Sequence, residues 1–479
     1  MAAVAAIVEE GSGTPDLTGV TMHPAASAER VTTSEGKRPP APWIPLLAWL
    51  SLVLAALIWG ASLWQSLERA SVGDALVTRQ LELEALVQQS PAASSLAPFG
   101  IEGADRRLLE HLEAMPDATT APVLIERAVL EQHLGQGEAA RRHLATARDL
   151  GDRDLQELSR QLLAPSGQPQ RLPARPIYRQ LICAGLERPD PACPTPADLR
   201  LAGLRLLLIN LLPLLGVISG SALALRLLWQ VRRGRLPAAP PLQGPDLAPS
   251  ELLLILAGGF VVLGQILTPL LVLPAVQQAL EAADLTPAAR DAAGVVLIYV
   301  ASGLPALALL ALLLRGRGPV PEGGWLQWRP APVCLVQGLR GLLLSLPAVA
   351  LSGWLVEQLW PDVGGSNPLL QQVLDSRDHL ALGLLALTAI VVAPLFEELL
   401  FRGVLLPVIG RTWGPLPAVV TSALVFALAH LSFSEALPLL ALGLVLGWLR
   451  LQTGRLLSCT LMHGLWNGFT FLNLLLLGS

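Results

Sequence analysis

Charge is the first thing this chain has little of. Only 15% of its 479 residues are Asp, Glu, Lys or Arg, where a soluble domain carries about a quarter. The net charge of −4 is too small to draw a nucleic-acid partner, which excludes that class of function. Cysteine is also scarce, with four in all, and no CxxC pair or zinc-ligand spacing appears among them. No secretory signal is visible, because the first apolar run starts only near Trp43 and is too long for an h-region. Glu9, Glu10 and Asp16 are acids that an organelle transit peptide avoids.

What is abundant is apolar: 52% hydrophobic residues and a mean hydropathy of +0.54. Runs of about 20 apolar residues recur along the chain, each long enough to cross a bilayer as a helix. The fold class expected is therefore all-α, a polytopic transmembrane bundle of about nine spans. The spans fall near 43–65, 203–229, 251–274, 293–314, 333–357, 381–408, 415–433, 436–452 and 456–477. Trp43, Trp59 and Trp64 sit toward the ends of the first, as interfacial anchors.

Two stretches depart from this pattern. Residues 1–40 are rich in Ala, Gly, Pro, Ser and Thr without apolar period, and read as a disordered tail. Residues 66–200 are polar and helical in pattern, a soluble insertion after the first span with room for a protein partner. Within it Leu130–Ala140 resembles the inner turn of a tetratricopeptide helix pair; a plain helical cap is the other reading. Cys183 and Cys193 lie in its Pro-rich end and would be bridged in an oxidising compartment, or remain two free thiols. Residues 203–250 are the second span and a linker.

With nine spans, Lys37, Arg38, Arg232, Arg233, Arg235, Arg315, Arg317, Arg402, Arg411, Arg450 and Arg455 sort to one side. The acidic segments 281–291 and 357–378 fall mostly on the other. The positive-inside rule then puts the N-terminus in the cytoplasm and residues 66–200 on the opposite side.

Against this apolar background, charged residues inside spans stand out, because each is costly in lipid and is by default a functional-site hypothesis. Pro394-Leu-Phe-Glu-Glu-Leu-Leu-Phe-Arg402 places Glu398 and Arg402 one turn apart, the acid first, the favoured order for an ion pair. Glu397 lies about 100° around the axis and gains no such partner on its own helix. A buried carboxylate without a cation is pushed toward proton exchange near neutrality. Glu397 is thus the expected reactive group, and Glu398 with Arg402 its brace. Two later spans each carry a polar pair: Phe426 with His430, and His463 with Asn467. A lone histidine on an apolar helix is usually a packing residue, but three such motifs share one economical explanation, a polar site between helices.

Glu397-Glu398-x-x-x-Arg402, Phe426-x-x-x-His430 and His463-x-x-x-Asn467 together resemble the signature of the CPBP (CAAX protease and bacteriocin-processing, or Abi) family. These are intramembrane endopeptidases related to the type II CAAX prenyl endopeptidase. The resemblance covers roughly residues 250–479 and implies hydrolysis of peptide bonds in membrane-associated substrates. Carried over by motif position, Glu397 activates the attacking water, His430 orients it, and His463 with Asn467 stabilises the oxyanion. Two mechanisms stay open. Glu397 acts as a metal-free base, or His430, His463 and Glu397 hold Zn²⁺ with a fourth position for water. The His-Glu-x-x-His helix of soluble zincins is missing. Two other function classes also remain: a transporter using an intramembrane Glu/His proton relay, against which no inverted repeat is seen, and a non-catalytic scaffold or immunity-type protein.

Overall fold

The computed structural model describes residues 41–68, 72–91, 93–163, 172–173, 175–184, 191–315, 317, 324–328, 331–360 and 368–478. The expected disordered tail, 1–40, lies outside them. Among the described residues the regular structure is helical, with no strand.

The first span, α1 (Trp43–Ser66), turns Leu46, Trp49, Leu50 and Leu57 outward, the apolar exterior that suits contact with acyl chains. The insertion follows as α2 (Val72–Gln88), α3 (Ala104–Ala114), α4 (Ala121–His133), α5 (Gly137–Leu150), α6 (Arg153–Leu163) and α7 (Pro176–Ala184). Its apolar stripes meet in two cores. One gathers Leu83, Leu108, Leu112, Leu130, Ile177 and Tyr178. The other lies between α4, α5 and α6 around Leu124, Ile125, Leu144 and Ala147. A left-handed Gly135 (φ +81°) turns the chain from α4 into α5. That hairpin is the stretch resembling a tetratricopeptide pair. Cys183 and Cys193 are bonded, with Cα atoms 5.9 Å apart.

The chain then returns through α8 (Pro196–Arg232), α9 (Pro249–Glu281), α10 (Pro287–Leu314) and α11 (Ala331–Leu359). After a short α12 (Pro368–Asp375) come α13 (His379–Trp413), α14 (Pro415–Ala429), α15 (Phe433–Thr453) and α16 (Leu456–Gly478). All nine stretches expected to span are helical. Seven are long and apolar enough to cross a membrane by that test alone. The two others differ for separate reasons. With 15 residues, α14 reaches only about 22 Å at 1.5 Å per residue. α16 has the length, but His463, Asn467 and Asn473 dilute its apolar character.

The helix ends sort into two sets. At one, Arg317 meets Glu251 and the Asp246 carbonyl, Arg411 reaches Asp246, and Leu456 N–H donates to the Leu326 carbonyl. At the other, Phe433 N–H donates to Ser66, Thr286 to Asp378, and Arg205 to the Leu476 carbonyl. The insertion joins this second end. Val72 packs with Ala292, Leu374 and Leu474, Arg79 pairs with Asp375 at 3.0 Å, and Leu199, Ala202 and Leu206 of α8 complete the core of the insertion.

Candidate active site

The site is built on α13, whose turns are not uniform. A regular α segment, Ala393–Glu398, lies between two stretches of wider π turns, Thr388–Val392 and Leu399–Leu405. Two prolines explain the carbonyls left over. In π register each N–H bonds five residues back. Pro394 has no N–H and leaves the Ala389 carbonyl unmet; Pro407 does the same for Arg402. Both are answered from neighbouring helices. Asn467 Nδ2 of α16 donates to Ala389 at 2.7 Å, and Arg450 Nε of α15 donates to Arg402 at 3.3 Å. Arg450 is fully buried and also donates to the carbonyls of Gln243, Trp325 and Gly454.

Local register turns Glu398 inward. It is fully buried, as is Arg402, whose Nη1 donates to Glu398 Oε1 at 2.8 Å. The same oxygen accepts from His463 Nδ1 at 2.9 Å. Glu398 therefore joins α13 to α16 as well as bracing its own helix. The guanidinium of Arg402 also lies over the Phe426 ring, 4.4 Å from its centre.

Glu397 points into a different environment. Its Oε1 accepts from the Tyr299 hydroxyl of α10 at 2.7 Å. Its Oε2 is buried without a hydrogen-bond partner in the protein, 4.0 Å from His463 Nε2, too long for a direct bond. A buried carboxylate oxygen needs a polar partner, so this notch between Glu397 and His463 is suited to a water or a substrate group.

Phe426 gathers the remaining members. Its ring lies 4.8 Å from that of His430 and 5.7 Å from that of His463, and edge-on to Phe401 at 5.5 Å. His430 caps the end of α14 rather than sitting within it. Its Nδ1 lies 2.8 Å from the Phe426 carbonyl. Because a carbonyl only accepts, Nδ1 carries the proton there, which in the neutral ring leaves a lone pair on Nε2. The next residue, Leu431, takes a left-handed φ of +52°, uncommon without glycine and often found near functional sites.

Two contacts add to that expectation. Among the described residues Glu397 pairs with no cation of its own helix and takes a hydrogen bond from α10 instead. Asn467 spends one amide N–H on holding α13. Tyr299 is uncharged and lies on α10, outside the three motifs, so their spacing does not point to it. A signal did exist: it is one of two tyrosines and lies mid-helix, away from the interfacial belts where tyrosine is enriched.

Among the described residues no three His, Cys, Asp or Glu side chains gather closely enough to hold a metal ion. His463 commits Nδ1 to Glu398, while the His430 ring lies against Phe426.

Residues 379–469 match the family model of the type II CAAX prenyl endopeptidase Rce1-like proteins. No curated protein and no solved structure is significantly similar to the chain. The matched segment runs from the start of α13 into α16 and contains all three polar motifs; Tyr299 and the insertion lie outside it. A helical bundle with seven helices long and apolar enough to cross a membrane, carrying this match across the three polar motifs, is consistent with the resemblance read from them: residues 379–469 are an Rce1-like domain, of the type II CAAX prenyl endopeptidase kind.

Proposed function

We propose that the chain hydrolyses peptide bonds of membrane-associated substrates with a water activated by Glu397, without a metal. The observation that carries this reading is the Glu397 Oε2 atom, buried, unpartnered and 4.0 Å from His463 Nε2. A water held there gives one proton to Oε2 as its oxygen attacks the scissile carbonyl carbon. His430 Nε2 accepts from the water's other hydrogen and aims the lone pair. The oxyanion forms against the second N–H of Asn467 and, with the imidazole doubly protonated, against the Nε2–H of His463, whose Nδ1–H is held by Glu398. Collapse of the tetrahedral intermediate breaks the C–N bond, and the proton held by Glu397 passes to the leaving amine.

The orientation proposed puts the Arg232, Arg317 and Arg411 end in the cytoplasm and the insertion opposite, where an oxidising compartment suits the Cys183–Cys193 bond. The insertion then stands beside the helix ends on that side, placed to meet a protein partner. By its name the matched family acts on prenylated CAAX proteins, so a prenylated CAAX peptide is the first probe.

The test compares peptide termini in membranes containing wild type or Glu397→Gln. The proposal expects a set of cleavage products present only with the wild type. Identical terminal sets, with transport of a solute lost instead, would replace it with a proton relay.

A further inference from the structure

We infer that Tyr299 is a positioning residue for the reaction, fixing which oxygen of Glu397 acts as the base; the inference rests on the reading just proposed. The Tyr299 hydroxyl donates to Glu397 Oε1 at 2.7 Å, the one side-chain hydrogen bond this carboxylate has among the described residues. A carboxylate has two equivalent oxygens and rotates about its last bond at little cost. Tying Oε1 to α10 leaves Oε2 directed at His463 and ends that freedom. The base is then pre-oriented before substrate arrives, which is how supporting hydrogen bonds contribute to rate.

The packing around Tyr299 serves the same contact. One turn further along α10, Gly303 offers no side chain, and the Phe396 ring fills the space: a Cβ there would come within 3.2 Å of it. Phe396 also meets the Tyr299 ring edge-on at 6.4 Å and Phe260 of α9 at 5.7 Å. Phe396 and Glu397 are consecutive, so seating the ring on Gly303 sets where the carboxylate leaves the helix. A buried tyrosine hydroxyl needs a partner. In an apolar helix whose neighbours offer backbone carbonyls, this one takes the carboxylate that the motif supplies.

The test uses full-length protein in liposomes and a peptide spanning a cleavage site that disappears with Glu397→Gln. Tyr299→Phe keeps the ring and removes only the hydroxyl. Losing a hydrogen bond to a charged group costs about 10–100-fold, so kcat falls by that much while KM stays within twofold and protein abundance is unchanged. In the Glu397→Gln background, Tyr299→Phe causes no further loss, because its effect passes through that carboxylate. A full rate for Tyr299→Phe, or an equal fractional loss in both backgrounds, overturns the inference and leaves the reading of Glu397 intact. A Glu397→Gln protein that keeps the full set of cleavage products overturns both.

Discussion

At the scale of single residues, two adjacent glutamates meet different surroundings, and the proposed reading gives them different roles. Glu398 holds Arg402 and His463 on a single oxygen, all three buried. Removing one partner of a buried ion pair costs roughly 3–5 kcal/mol. Glu398→Ala should therefore reduce folded protein in the membrane, measured as detergent-extractable monomer on size exclusion. Glu397→Gln keeps shape and still accepts from Tyr299, so its yield should match wild type. Equal depletion of both would erase the distinction between brace and reactive acid. The brace was legible in the sequence because i and i+4 spacing with the acid first is a local rule. The partners from other helices, His463 for Glu398 and Tyr299 for Glu397, depend on packing that no local spacing encodes.

A second residue-scale expectation concerns the insertion. Glu126 is pushed up to about 7, chiefly by burial, with Arg175 opposing and Glu82 adding to the shift. An acid whose folded value lies above its unfolded 4.5 costs stability as pH rises from 4.5 to 7, and the full cost, about 3 kcal/mol, applies above 7. The insertion should resist proteolysis better at pH 5.5 than at pH 8, with Glu126→Gln removing most of the difference. Resistance that rises with pH would show that Arg175 outweighs burial.

At the scale of elements, the site exists because helices approach closely at small residues. The Gly464 Cα abuts the Ile390 carbonyl, and a Cβ there would lie 2.7 Å from it. Gly464 is next to His463, so spreading α16 from α13 also pulls the imidazole from Glu398 and Asn467 from Ala389. Gly464→Ala should lower kcat by about 10-fold or more, since misplacement of ~1 Å costs up to 10². The control is Gly383→Ala, on the same α13 but with open space around its Cα, expected to be neutral. Equal activity of the two variants would mean the approach of α16 does not set the site. The π turns of α13 were not legible from the motif itself. Pro394 and Pro407 were visible, but whether a proline ends, kinks or widens a helix depends on donors such as Asn467 and Arg450, far along the chain. His430 belongs to the same class: its spacing from Phe426 reads as one helical face, yet it lies at the cap of α14.

At the scale of the molecule, apolar run length and arginine distribution already contained the bundle and its alternation of ends. The number of spans was less direct, because the helices that carry His430, His463 and Asn467, α14 and α16, are those whose length or polarity departs from a plain span. The insertion's helical class followed from its pattern, whereas its docking on the ends of α8, α12 and α16 did not. The proposed orientation predicts that a tag near Gln89 is protected in sealed cytoplasmic-side-out vesicles while one near Gly13 is cleaved. Equal exposure of the two would shift the span count by one.

The most direct measurement of the central claim is hydrolysis by purified, reconstituted protein, wild type against Glu397→Gln, followed by mass spectrometry of a prenylated CAAX peptide and of peptides from cleavage sites found in membranes. Losing a general base typically costs about 10²–10⁴ in rate. The account predicts a loss of that size at unchanged protein yield, while Glu397→Gln at wild-type rate would contradict it.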